Sequence, residues 1–133
     1  MAATLSIELV YLALSVALLL VHIAVQGALL TRQAGLRYNA SPRDEGRPIH
    51  GIAGRAGRAL RNFNETFPAF AALVLAVQAT GAQDAWTGLA AALYFWARLA
   101  YLPTYLAGIP VLRSLIWCAA TAGIVILLWR LVA

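Results

Sequence analysis

Lysine is absent from this chain: all ten basic residues are arginine, and only five residues are acidic. Charged residues make up 11% of the sequence, where a soluble domain carries about 25%. So little charge excludes intrinsic disorder, which needs polar composition to stay unfolded. The single cysteine, Cys118, allows no disulfide framework within one chain and, lying in an apolar run, reads as a small core residue. No Cys/His cluster has zinc spacing, so no metal is expected. No glycine-rich phosphate loop precedes a helix, and His22 and His50 suggest no Ser-His-Asp set.

What is present is apolar. The hydrophobic fraction is 62% and the mean hydropathy +0.78, against about 45–50% apolar for a soluble domain. At 133 residues that excess has no water-soluble arrangement, and the chain reads as one integral-membrane domain, 1–133. The net charge of +5 does not point to nucleic acid, because the arginines lie beside or inside apolar runs.

The first run, Leu5 to Leu30, would extend about 39 Å as a helix, at about 1.5 Å per residue. That exceeds a hydrocarbon core of about 30 Å. No basic residue precedes it and it is too long for a signal peptide's apolar region. His22 and Gln26 share a face of it and suit interhelical hydrogen bonding. A polar connection follows from Thr31 to Gly57, with Arg32, Arg37, Arg43, Arg47 and Arg55, two prolines and five glycines. Three further helices are expected, giving an all-α four-helix bundle with helices at about 5–31, 57–80, 85–106 and 110–132. Pro110 suits the first turn of the last helix, and Trp129 with Arg130 suit an interfacial anchor. The arginine-rich first connection and the 107–110 connection should face the cytoplasm, with both termini opposite.

Two polar stripes carry the chemistry. Arg58, Asn62 and Glu65 are spaced four and three along the second helix, with Arg61 beside them. Arg98, Tyr101 and Tyr105 are spaced three and four along the third. Antiparallel neighbours would set the stripes face to face. Pro68 and Pro103 lie next to them and free the carbonyls of Asn64 and Leu99. Arg58, Arg61, Arg98 and Arg113 stand against one carboxylate, Glu65. That surplus suits an anionic ligand, and it also suits arginines reaching for lipid headgroups. Arg113 falls in the first turn of the last helix, where the dipole opposes a cation unless an anion binds there. A thiol held at that point would ionise readily, and Ser114 would add a hydrogen bond.

The pattern Arg58-Ala-x-x-Asn62-x-x-Glu65-x-Phe67-Pro68-x-Phe70 resembles the second-helix signature of the MAPEG family, membrane-associated proteins in eicosanoid and glutathione metabolism. The run Ala97-Arg98-Leu99-x-Tyr101-x-x-x-Tyr105, with Arg113 eight residues on, is similar to its next signature, especially in the leukotriene-forming synthases. The resemblance covers nearly the whole chain. It implies a homotrimer that binds glutathione as co-substrate between subunits, near the cytosolic surface, and meets a lipophilic electrophile from the bilayer. By that resemblance Arg58, Asn62 and Glu65 would hold the peptide, with Arg61 alongside. Tyr101 and Tyr105 would line the site, Arg98 would support it, and Arg113 would steady the thiolate. A helix-one arginine, Arg32 or Arg37, would contribute.

There are departures from the family's branches. The prostaglandin-forming branch has histidine at Tyr101 and an aromatic hydroxyl at Trp117, and the leukotriene branch has tyrosine at Thr66. Neither eicosanoid activity is implied. The compact form is similar to bacterial members, which implies an inner-membrane location. The expected activity is that of a glutathione S-transferase or peroxidase. Two other classes remain: a small four-helix exporter using Glu65 for proton coupling, and a non-catalytic scaffold or lipid-binding protein on the same fold.

Overall fold

A computed structural model of the chain describes residues 3–133. Five helices follow one another: α1 (Ile7–Ala34), α2 (Leu36–Ala40), α3 (Gly51–Thr80), α4 (Ala85–Leu106) and α5 (Pro110–Val132). No strand occurs among the described residues. The helices α1 and α5 are each long and apolar enough to cross a bilayer. Their outward faces are apolar too: Leu20, Leu115, Val125 and Trp129 are all exposed. A surface of that kind has its natural solvent in lipid.

The ends of the long helices are specified locally. Ser6 accepts the Leu9 N–H at 3.3 Å and donates its hydroxyl to Gln78 at 2.9 Å, tying the start of α1 to the end of α3. Asp84 and Thr87 form a reciprocal capping box on α4, at 2.8 and 2.9 Å. Gly81 ends α3 in the left-handed region that its turn requires. Arg130, near the end of α5, pairs with Asp84. Glu8 is buried at the start of α1, with the Thr87 hydroxyl 2.5 Å from its Oε1. One end of the molecule is thus cross-linked by polar side chains from α1, α3, α4 and α5. The backbone N–H of Thr87, with the Arg130 guanidinium beside it, holds the Asp84 carboxyl below its usual range.

Between the ends the core is aromatic and small-residue packing. Phe70 of α3 stacks on Tyr94 of α4 at 4.0 Å, within a cluster that includes Val74, Val77, Ala91 and Leu127. α4 and α5 approach closely through Gly123, where an added Cβ would lie 2.7 Å from the Ala90 carbonyl oxygen. The helices α3 and α4 run unbroken through Pro68 and Pro103.

Two expectations change. The helix expected from about residue 57 starts at Gly51, and the first helix runs on to Ala34 before Gly35 ends it. Gly51, Gly54 and Gly57 look like helix breakers in sequence. In the fold Ala53, Gly54, Ala56 and Ala59 form a small buried face on α3. Gly54 lies so close to the Ile49 carbonyl and to Arg58 that a Cβ would meet them at 3.0 and 3.2 Å. The glycine serves close approach here, not termination. The connection between α1 and α3 is ordered. Gln33 grips the His50 backbone twice, at 2.8 and 3.0 Å, and Asn39 donates to Thr31 at 2.8 Å. Buried Tyr38 accepts the Arg47 N–H at 3.0 Å. Finally, His22 is buried against Phe63 with ring centroids 4.9 Å apart and no hydrogen-bond partner on either nitrogen, so the expected interhelical bond is not made.

Candidate functional site

The two polar stripes do meet. Arg98 of α4 is wholly buried and donates from Nη1 to Asn62 Oδ1 of α3 at 2.8 Å. Its guanidinium also lies over two rings, Tyr101 at 4.3 Å and Phe63 at 5.0 Å. Only an acceptor can hydrogen-bond to a guanidinium, which carries donors alone. The Asn62 oxygen is therefore turned inward, and its amide NH2 is the group left for the groove that Asn62 lines. Arg98 itself is sealed from that groove, so it orients Asn62 without touching a ligand.

Two cavities flank this pair. The first holds about 250 Å³ where the start of α3 faces the α4–α5 connection; its walls include Arg55, Arg58, Tyr105 and Arg113. The second, about 380 Å³, runs along α5 and is lined by Asn62, Tyr101, Arg113, Ser114, Trp117 and Cys118. Arg113 belongs to both. Its guanidinium is positioned over the Tyr105 ring at 4.8 Å, and Tyr105 packs on Tyr101 at 5.5 Å. The aromatic pair therefore aims Arg113 across the junction of a basic recess and a half-apolar groove. The Ser114 hydroxyl is occupied, donating to the Pro110 carbonyl at 3.1 Å. It reaches a ligand only by giving up that bond.

The remaining predicted residues are placed as follows. Glu65 is exposed and forms no ion pair among the described residues, where the only salt bridges are Arg47–Glu45 and Arg130–Asp84. Arg58 is exposed on the same outer stripe. Arg61 turns to a separate cleft beside α2, which Arg58 also lines. Arg32 lines a recess with Leu29, Gln33, Ile52 and Ala53, and Arg37 is exposed on α2; neither joins the groove within one chain.

Two residues of the site are not legible as such in the sequence. Arg55 belongs to the first turns of α3, not to a loop, and its Nε donates to the Leu106 carbonyl at the end of α4 at 2.9 Å. Its position one helical turn before Arg58 is the available signal. Cys118 is exposed and lines the groove, which corrects its reading as a core residue. Apolar neighbours in sequence do not report burial when the outer face of a helix is itself apolar.

The arrangement joins fixed positive charge, a donor amide and two tyrosines to an apolar wall within one continuous reach of Arg113. No curated protein and no solved structure matches the chain. A family model, however, covers residues 9–133, nearly all of it, and the chain belongs to the MAPEG family of membrane proteins.

Proposed function

We propose that this protein is a glutathione-dependent transferase or peroxidase of the bilayer, a homotrimer of four-helix subunits acting on lipophilic electrophiles. The observation that carries the reading is the double placement of Arg113, on the wall of the basic recess and of the groove beside Trp117 and Cys118. A charged tripeptide suits the first space and an apolar electrophile the second, so their reacting atoms would meet at a guanidinium.

Arg58 and Arg55 supply charge for the peptide's carboxylates, the Asn62 amide a donor, and Glu65 an acceptor for its ammonium group. A guanidinium acts as a cation and not as a general base, so the role of Arg113 is electrostatic: it favours thiolate over thiol. The thiolate sulfur then bonds to the electrophilic carbon, and the leaving group departs with its electron pair. With a hydroperoxide the sulfur instead takes the terminal oxygen as the O–O bond breaks, the alkoxide leaves as the alcohol and the sulfur becomes a sulfenic acid; the thiol of a second glutathione then displaces its hydroxyl as water and completes the disulfide. Proximity between two bound reactants supplies the rest. Arg58 and Glu65 lie open on the outside of a single chain, and Arg32 and Arg37 lie off the groove. Both facts support a site completed by a neighbouring subunit. The arginine-rich first connection and the 107–110 connection face the cytoplasm in this reading, where glutathione is abundant.

The test is the ultraviolet absorbance of bound thiolate in detergent-purified protein, titrated with pH. Wild type should show thiolate at neutral pH. Arg113→Ala should keep most glutathione binding, raise the midpoint and slow conjugation of a generic electrophile, and Arg113→Lys should recover part of the loss. Identical midpoints in wild type and Arg113→Ala would remove Arg113 from thiol activation. Absence of glutathione binding by wild type would overturn the reading as a whole.

A further inference from the structure

On the other side of Arg58 from the groove lies a second basic cleft, of about 360 Å³. Arg58 and Arg61 enter it from α3, and Arg43 enters from the connection that follows α2; Gln26 of α1 and buried Tyr38 complete its polar lining. Three guanidinium groups converge there, and no carboxylate is among the lining residues. Neither Arg58 nor Arg61 forms an ion pair among the described residues. Like charges so placed repel one another, and an anion seated among them relieves that repulsion.

The cleft is built rather than incidental. Its roof is the ordered connection, pinned to α1 by Asn39 and Gln33 and to Tyr38 by Arg47. Arg43 is the only non-glycine residue of positive φ among those described, at 62°. That costs conformational energy, and it is held by three hydrogen bonds from the Arg43 guanidinium to Asn39, at 2.7 to 3.3 Å. The Arg43 Nη1 has no part in these bonds. On the floor, Gly54 leaves the space that Arg58 Nη1 occupies, 3.2 Å from where a Cβ would stand. Gln26 and Leu30 place the cleft beside the last turns of α1, at the polar end of an apolar helix. That is the depth of lipid phosphates at a bilayer surface.

We propose that Arg43, Arg58 and Arg61 form a phosphate-binding cleft, which shares only Arg58 with the glutathione recess and seats the phosphate of an anionic group at the membrane surface. Guanidinium forks match phosphate oxygens pairwise, and Tyr38 and Gln26 add neutral polar contacts. The proposal extends beyond the reading of the groove. Asn62, Tyr101 and Arg113 are not in the cleft, and the discriminating variants avoid the shared Arg58.

The experiment uses full-length protein in a neutral detergent. Thermal stability and calorimetric binding are measured with dihexanoyl phosphatidylglycerol, with dihexanoyl phosphatidylcholine, and with inorganic pyrophosphate. Stabilisation by phosphatidylglycerol but not by pyrophosphate or phosphatidylcholine assigns the cleft to a lipid headgroup. Stabilisation by pyrophosphate assigns it to a free phosphate compound. Arg43→Asn, which tolerates the left-handed backbone, and Arg61→Gln should each weaken the effective probe about tenfold, the loss of one charge-assisted contact. Arg43→Asn should leave the glutathione response in place, which separates this proposal from the preceding one. Equal responses in wild type and both variants would mean general attraction to a basic surface and would overturn the cleft. So would no response to either anionic probe, or a change of oligomeric mass in the variants without loss of probe affinity.

Discussion

Removing the half-exposed partner of the Arg98–Asn62 pair should damage the protein more than removing the fully buried one. Arg98 is wholly buried, with one nitrogen bonded to Asn62 and two, Nε and Nη2, lacking any partner. Arg98→Met forfeits a charge-assisted hydrogen bond of about 1.5–3 kcal/mol. It also loses cation–π contacts with Tyr101 and Phe63, about 0.5–2 kcal/mol each. Against this it removes two unpaired buried donors, each unfavourable by about 1–3 kcal/mol, and methionine refills much of the volume. The terms nearly cancel, and the net change should lie within about 2 kcal/mol. Asn62→Leu removes the only acceptor and leaves the guanidinium buried with no partner, which should destabilise by about 3–5 kcal/mol. The double variant should return close to Arg98→Met alone, because the stranded charge is gone. Unfolding by sodium dodecyl sulfate in mixed micelles measures all three. A larger loss for Arg98→Met than for Asn62→Leu, or additive effects in the double variant, would refute the reasoning.

Two further predictions concern the ends and the packing. The Asp84 carboxyl is held below its usual range by the Thr87 N–H and Arg130, so its contribution is fully present above the unfolded value of about 4 and is lost as pH falls through the lower folded value. Melting temperature followed from neutral to acid pH should therefore drop less steeply in Asp84→Asn than in wild type, and superimposable acid limbs would count against the capping box as a charge-dependent tie. Gly123→Ala places a Cβ 2.7 Å from the Ala90 carbonyl oxygen and 3.2 Å from the Tyr94 nitrogen, both backbone, and overpacking of that kind should destabilise by about 1–3 kcal/mol. Gly88→Ala meets side chains alone, Ile7 at 2.7 Å and Glu8 at 3.9 Å, so its loss in melting temperature should be smaller than that of Gly123→Ala; the reverse order would show that α4 and α5 are less tightly joined than Gly123 indicates.

The sequence by itself determined the membrane character and the family. Composition is a property of the whole chain, and the spacing of Arg58, Asn62 and Glu65 or of Arg98, Tyr101 and Tyr105 is fixed by helical periodicity before any packing occurs. It also pointed to the start of α5, because Pro110 is a local signal that acts within one turn. What only the tertiary structure decided depends on which surfaces approach. Glycine spacing cannot distinguish a helix breaker from a site of close contact, so the start of α3 at Gly51 needed the strand of chain at Ile49 lying against Gly54. Arginines of equal charge look alike in sequence. Packing separated them: Arg98 into the core as a positioning group, Arg55 onto the end of α4, Arg113 across the groove, and Arg43 with Arg61 into another cleft. Cys118 was misplaced for a physical reason. In lipid the outer face of a helix is apolar, so hydrophobicity no longer marks the inside, and burial is set by contact between helices alone.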